Sequence, residues 1–370
     1  MALLLMESFD HYATADLTEK WTSIYASGGT VAPAVTASIG RRSTAGVRWS
    51  NTVNERAKAL GAVVAASGTT CVVGFAFTSS TFASLAGGVA NDLTADSGGY
   101  SNALCTIRLS GTTHVWFRLN TDGTITALGP PLSFTDWTVK GSSTAALTVG
   151  TTAYLEFLVT IHDTTGVITV RKNGIPILSL TSQDTNNGGT PGWNEVVIGR
   201  LVTTGAGSAV WDVDDLYIAD GSGSAPWNGC LGDVRVDVRN ATGAGALADW
   251  TPSTGSNWQN IDDAAPDDDS TYNSAATASL TDTFVVDDAP VAGATIYGVQ
   301  VSLSAKKMDS GTCSLASVVR QSGSNQVGAD QNPGTSYAYL RTVYQTNPHT
   351  SAQWTDSDFN ADEFGYQRTA

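Results

Sequence analysis

Residues 153–180 read AYLEFLVTIHDTTGVITVRKNGIPILSL. Three runs rich in Val, Ile, Leu and Thr are separated by two turn signals, the pattern of consecutive strands. DTTG divides the first run from the second. Asn173-Gly174 divides the second from the third, and Asn-Gly closes two-residue hairpins because both positions tolerate positive φ. The stretch predicts three antiparallel strands, and the text around it continues in the same grammar. Upstream lie TTCVVGFAFTSS (69–80), SNALCTIRLS and THVWFRLNTDGTITAL, the last with a hairpin signal at Asp122-Gly123. Downstream come EVVIGRLV and AVWDVDDLYIAD. About ten strands with no long helix predict an all-β jelly-roll sandwich. With only six Glu and six Lys in the chain, surface helices laced by Glu/Lys pairs are not expected.

A Gly- and Ala-rich passage, RNATGAGALADW (239–250), interrupts the strand pattern and is read as a boundary between domains at 1–235 and 246–370. Beyond it, four further strand-like runs (DTFVVDDAP, TIYGVQVSLSAKKM, CSLASVVRQSG, YAYLRTVYQTNP) predict a smaller second β-sandwich. The acidic run from Asp262 to Asp269 reads as a solvated loop, with a calcium loop as the alternative.

In LEFLVTIHDTTGVITVRKNGIPIL, VVIGRL and WDVDDLYIADGSG, the first part resembles the concanavalin A-like lectin/glucanase sandwiches of the laminin-G type. The resemblance covers roughly residues 1–225. The second part, through NGCLGDVRVD, DWTPSTGSNWQNIDDAAPDDDSTYN, VSLSAKKMDSG and WTDSDFNADEFGYQ, resembles a module of tailed-bacteriophage virion proteins. With the start LLLMESFDHY, the whole chain resembles a phage structural protein of the tail or head-appendage kind. That implies a virion location after assembly in the host cytoplasm. It also implies other virion proteins as partners and a homo-oligomer, with a trimer favoured.

VWDVDDLYIAD (210–220) poses a physical problem. Strict alternation would push a carboxylate into an apolar layer. A one-residue bulge at Asp214-Asp215 removes the conflict. It turns Trp211, Val213, Leu216 and Ile218 inward together, leaves Asp212 and Tyr217 outward, and lets the bulged carboxylates accept backbone N–H bonds. The alternative is a calcium site built from Asp212, Asp214 and Asp215, without the glycine and terminal glutamate of an EF-hand. Glucanases of the resembled superfamily carry two Glu about an Asp on one strand, and a retaining glycosidase needs two carboxylates about 5 Å apart. None of the six Glu here stands in such a pattern, so no enzyme is expected. His11, His114, His162 and His349 form no metal-binding spacing.

Four aromatics are candidates for stacking on a sugar or for a subunit interface: Trp137 and Trp193 in loop-like text, and Trp354 and Tyr366 in the tail. A net charge of −15 disfavours nucleic acid and anionic membranes. No apolar run suits a signal peptide or a membrane span, so folding in a cytoplasm and no membrane insertion are expected. Cys71, Cys105, Cys230 and Cys313 read as free thiols. The expected function is a non-enzymatic virion protein for assembly and display, with host-glycan attachment included. A free-standing lectin is the alternative, and a glycan depolymerase the third reading.

Overall fold

A computed structural model describes residues 2–21, 23–25, 32–51, 59–66, 68–82, 102–131, 137–201 and 208–370. It is all-β and divides into two compact units, Met1–Phe9 with Trp21–Val236, and Asp10–Lys20 with Asp237–Ala370. No helix among the described residues is long and apolar enough to cross a membrane.

The strands of the first unit are β1 (Leu3–Glu7), β2 (Ser23–Tyr25), β3 (Ala34–Thr36), β4 (Gly46–Asn51), β5 (Ala59–Val63), β6 (Thr70–Ser79), β7 (Ala103–Leu109) and β8 (Thr112–Leu119). They continue with β9 (Ile125–Pro131), β10 (Trp137–Ser142), β11 (Ala153–Thr160), β12 (Gly166–Lys172), β13 (Ile175–Gln183), β14 (Glu195–Leu201) and β15 (Ala209–Ala219). One sheet of eight strands runs β13-β12-β11-β6-β15-β4-β3, with β1 also paired to β15. The other, of seven, runs β10-β9-β8-β7-β14-β5-β2. The predicted triple β11-β12-β13 is present, with Asn173 at φ 51° and Gly174 at φ 77° in its second turn. The sheets face one another across a dry core. Phe157 on β11 lies 4.6 Å, between ring centroids, from Phe117 on β8 of the opposite sheet. Phe77 meets Trp211 edge to face at 5.1 Å. Each such buried ring contributes about 2–3 kcal/mol through the apolar area it removes from water.

The second unit begins with residues expected to form a boundary. The Gly- and Ala-rich passage is strand, β16 (Ala241–Ala248), paired with β19 (Thr281–Val286). Small side chains are what the place requires: a Cβ on Gly245 would lie 2.5 Å from the Thr283 backbone. Between them come the short β17 (Thr251–Pro252) and β18 (Asn273–Ser274), and beyond them β20 (Val299–Ala305), β21 (Leu315–Gln321), β22 (Ser324–Val327), β23 (Ala338–Tyr344) and β24 (Glu363–Arg368). The five-stranded sheet β16-β19-β24-β21-β22 carries Phe284, Leu315 and Tyr366 in its core, and Leu303 and Leu340 of the ribbon β20-β23 pack against them. Residues 10–20, near the chain's start, belong here. Lys20 lies over the rings of Tyr12 at 4.5 Å and of Tyr339, on β23, at 5.1 Å, and it is hydrogen-bonded to His11.

Candidate functional site

The acidic strand β15 carries the expected bulge. Pairing with β6 shifts register between Asp214 and Tyr217, and Asp215 takes φ 52°. Trp211, Val213, Leu216 and Ile218 are buried together. Asp214 Oδ1 accepts the Asp215 amide at 2.7 Å, and its Oδ2 accepts the Arg41 amide at 2.7 Å. Asp215 receives the Val236 amide at 2.8 Å. Its carboxylate also meets Arg41 Nε at 3.0 Å and Arg42 Nη2 at 3.2 Å. Asp212 is held by both Nε and Nη2 of Arg48 at 2.7 Å. Guanidinium groups answer Asp212 and Asp215, whereas Asp214 is held by two backbone amides and the Thr44 hydroxyl, so the three carboxylates proposed as calcium ligands each have partners within the chain. Among the described residues no His, Cys, Asp or Glu side chains converge as a metal-binding set.

The same sheet face holds a carboxyl–phenol pair. Glu156 on β11 stands one strand from Tyr217, across Gly74 of β6. A Cβ on Gly74 would lie 2.2 Å from the Tyr217 ring, so only glycine lets the phenol lie flat over β6. The Tyr217 hydroxyl donates to Glu156 Oε1 at 2.7 Å. Burial pushes the Glu156 carboxyl above its usual range, opposed by the Tyr217 and Gly232 hydrogen bonds. Burial likewise raises Asp215, against its backbone bond from Val236 and its two arginines. Tyr217, expected to face outward to solvent, is 1% exposed. Its cover is an irregular strap, residues 228–236. The Leu231 amide donates to the Tyr217 hydroxyl at 3.0 Å, the Gly232 amide donates to Glu156 Oε1 at 2.8 Å, and Asp233 pairs with Arg41. The face rich in charge is therefore closed by the chain's own backbone.

The outer face of the seven-stranded sheet differs. Phe117 of β8 points into the core, so Trp116 and Arg118 point away from it. Trp116 meets Trp137 edge to face at 6.3 Å, and the two indoles cluster with Ala103 and Leu128. Trp137 Nε1 and Thr106 Oγ1, both buried here, have no hydrogen-bond partner. Beside the indoles runs a polar row in register across three strands: Arg118 on β8, Thr126 on β9 and Ser142 on β10. Arg118 Nε donates to Asn120 Oδ1 at 3.1 Å, Asn120 Nδ2 donates to Thr126 Oγ1 at 2.8 Å, and Thr126 and Ser142 share a hydrogen bond of 2.8 Å. Further along β8, His114 is fully buried. Its Nδ1 accepts the Asn187 amide at 2.9 Å, and burial pushes its pKa down to about 4. Arg108 and Glu195 form a buried ion pair at 3.3 Å.

The four aromatics named from sequence as candidates for sugar stacking or a subunit interface are all buried, which corrects the stacking reading: a ring without an open face cannot stack on a sugar. Trp193 donates its indole N–H to the Thr70 carbonyl at 2.9 Å. Trp354 donates to the Tyr344 carbonyl at 2.9 Å and packs with Val319 and Phe364. Tyr366 accepts from Asn273 Nδ2 at 2.8 Å inside the second core. Of the four, Trp137 alone lies beside the polar row, in which Thr126 is buried, Arg118 and Asn120 are half-buried and Ser142 is exposed. Sequence reasoning passed over Arg118, Asn120 and Thr126. Their common signal was alternation, in which WFRLN and TITAL put polar residues two apart on strands already read as a hairpin.

No protein-family model matches this chain, and no curated protein does. Solved structures do resemble it. An endo-β-1,4-glucuronan lyase from the fungus Trichoderma reesei is 10% identical with a TM-score of 0.38, covering 57% of this chain and 93% of the lyase. Alginate lyase Aly36B is 12% identical with a TM-score of 0.37, covering 58% of this chain and 96% of its own. A carbohydrate esterase from the Shiga toxin-encoding bacteriophage phi24B is 11% identical with a TM-score of 0.34, covering 58% and 99%. At these identities the likeness concerns the fold. The expectation that the chain is not an enzyme is corrected by this finding, since polysaccharide lyases stand among the solved structures that resemble it. The missing two-glutamate strand excludes only one hydrolytic arrangement.

Proposed function

We propose that this chain is a carbohydrate-directed component of a tailed-bacteriophage particle, and that its first sandwich engages a polysaccharide of the host surface. The observation that supports this reading is the polar row Arg118–Asn120–Thr126–Ser142 on the outer face of the seven-stranded sheet. Hydroxyl, amide and guanidinium groups held in one hydrogen-bonded plane are the complement of a sugar's ring of hydroxyls. Phage origin rests on the sequence phrases of the second half, and the second unit is assigned the attachment to other particle proteins.

The test uses the purified full chain on an array of bacterial surface polysaccharides. Saturable binding is expected, weakened about tenfold by Asn120→Ala, which breaks two links of the row. The bound polymers are then scored for new reducing ends, unsaturated sugar ends and released acyl groups, which separates binding alone from lyase or esterase turnover. Binding to no polysaccharide would sink the carbohydrate reading. Mass measurement of the same sample tests the accompanying proposal of a homo-oligomer, for which a trimer is expected.

A further inference from the structure

The chain has 34 acidic and 19 basic residues, so an arginine has acids in excess to choose from. Five arginines of the first unit stand beside one: Arg41 and Arg42 hold Asp215, Arg48 holds Asp212, Arg108 holds Glu195, and Arg171 lies directly across from Glu156, although its Nε is buried without a hydrogen bond. Arg118 does not. Its one hydrogen bond is from Nε to the neutral Asn120 amide, and no carboxylate pairs with it among the described residues. The guanidinium is half-buried, and the lost solvation lowers its pKa with no acid to oppose that shift. A desolvated cation without a counter-charge is a costly arrangement that a folded protein keeps only when something else supplies the anion. With Nε committed to Asn120, the terminal nitrogens keep the fork that receives a carboxylate. Its neighbours Ser142, exposed, and Asn120, half-buried, offer a hydroxyl and an amide, both anchored by the buried Thr126 hydroxyl, and Thr106 Oγ1 and Trp137 Nε1 on the same face are buried without partners among the described residues.

We propose that Arg118 is the carboxylate subsite of a site for acidic sugars, so that the polysaccharide engaged by this face carries uronic acid or another carboxylated residue. This rests on the carbohydrate reading above and narrows it to one substrate class.

The test prints each carboxylated bacterial polysaccharide beside its carboxyl-reduced counterpart and applies the full chain and its Arg118→Gln and Arg118→Lys variants. The expected result is binding to the acidic form at least about tenfold tighter than to the reduced form. Arg118→Gln should abolish that preference, Arg118→Lys should restore part of it, and added salt should erode it. Melting temperature guards against a merely structural role: Arg118→Gln should leave it unchanged or raised, because an unpaired half-buried charge is removed. Equal binding to acidic and reduced polymers, or a preference that survives Arg118→Gln, overturns the subsite and leaves the carbohydrate reading standing. Binding to neither overturns both. A fall in melting temperature of the glutamine variant with unchanged preference assigns Arg118 to the fold and overturns the proposal.

Discussion

The two outer faces of the first sandwich invert the usual expectation. The face of the eight-stranded sheet carries Asp212, Asp214, Asp215, Glu156 and three arginines, and it is shut by the strap at 228–236. Among the described residues the face of the seven-stranded sheet shows fewer charges, and no carboxylate pairs with Arg118 there. Most of the charge on the strapped face meets a partner, although Glu156 Oε2 and Arg171 Nε are buried there without a hydrogen bond. A charge left unanswered marks where a protein waits for something else.

The largest effect that would sharpen this contrast is at Asp215. Asp215→Ala would leave Arg41 with Asp233 alone, take the carboxylate from Arg42 and free the Val236 amide, and breaking a buried ion pair from one side costs about 3–5 kcal/mol. Urea denaturation should show a loss of that size. A loss under about 1 kcal/mol would mean that the strap and its aspartate are not the closed network described.

Next comes pH. His114, held neutral with a pKa of about 4, binds a proton less readily folded than unfolded. Its contribution is complete above the unfolded value of about 6.5 and is lost as pH falls from there toward 4, on the order of 1–3 kcal/mol. Glu156 and Asp215, raised by burial, act in the opposite sense: their contribution is present at acid pH and declines as pH rises through their raised values. His114→Gln should flatten the acid limb of a stability–pH curve, and Glu156→Gln should flatten the limb above it. Unchanged slopes in both variants would break the assignment.

Smaller still is Tyr217→Phe, which removes one donor to Glu156 and one acceptor for Leu231 and should cost about 1–2 kcal/mol. It should also raise protease cleavage within 228–236, read by mass spectrometry of the fragments. Arg118→Gln on the opposite face should lower stability by less than about 0.5 kcal/mol or raise it, since the one hydrogen bond lost to Asn120 is offset by removal of a half-buried charge without an acid. If the two faces respond alike, the comparison fails.

What the sequence made legible was local. Asn173-Gly174 announced its hairpin because few residues take positive φ without cost, and Asp214-Asp215 announced a bulge because no strict alternation could place both carboxylates. What stayed hidden depended on distance along the chain. Arg41-Arg42 looked like an isolated basic doublet, and nothing near it signals aspartates more than 170 residues away. The strap had no pattern because it binds through its backbone. Which tail aromatics enter the core could not be read locally, because that core is assembled from strands distant in sequence. Gly245 read as linker, although glycine is also what a crowded strand demands.

The early segment at 10–20 has a consequence for the order of events in synthesis. The chain passes between the two units three times, at residues 9–10, 20–21 and 236–237. Residues 10–20 are made well before the rest of the second unit, since Tyr339, which Tyr12 and Lys20 contact, comes more than 300 residues later. Strand β1, just ahead of them, finds its partner β15 much sooner. During translation the first sandwich can therefore take in the chain's beginning while the next eleven residues stay unclaimed. They are called in only when β23 has emerged. The entropy of closing so long a loop grows only logarithmically with its length, so the delay costs time more than stability. A single cut near residue 237 would leave residues 10–20, which belong to the second unit, on the fragment that carries the first.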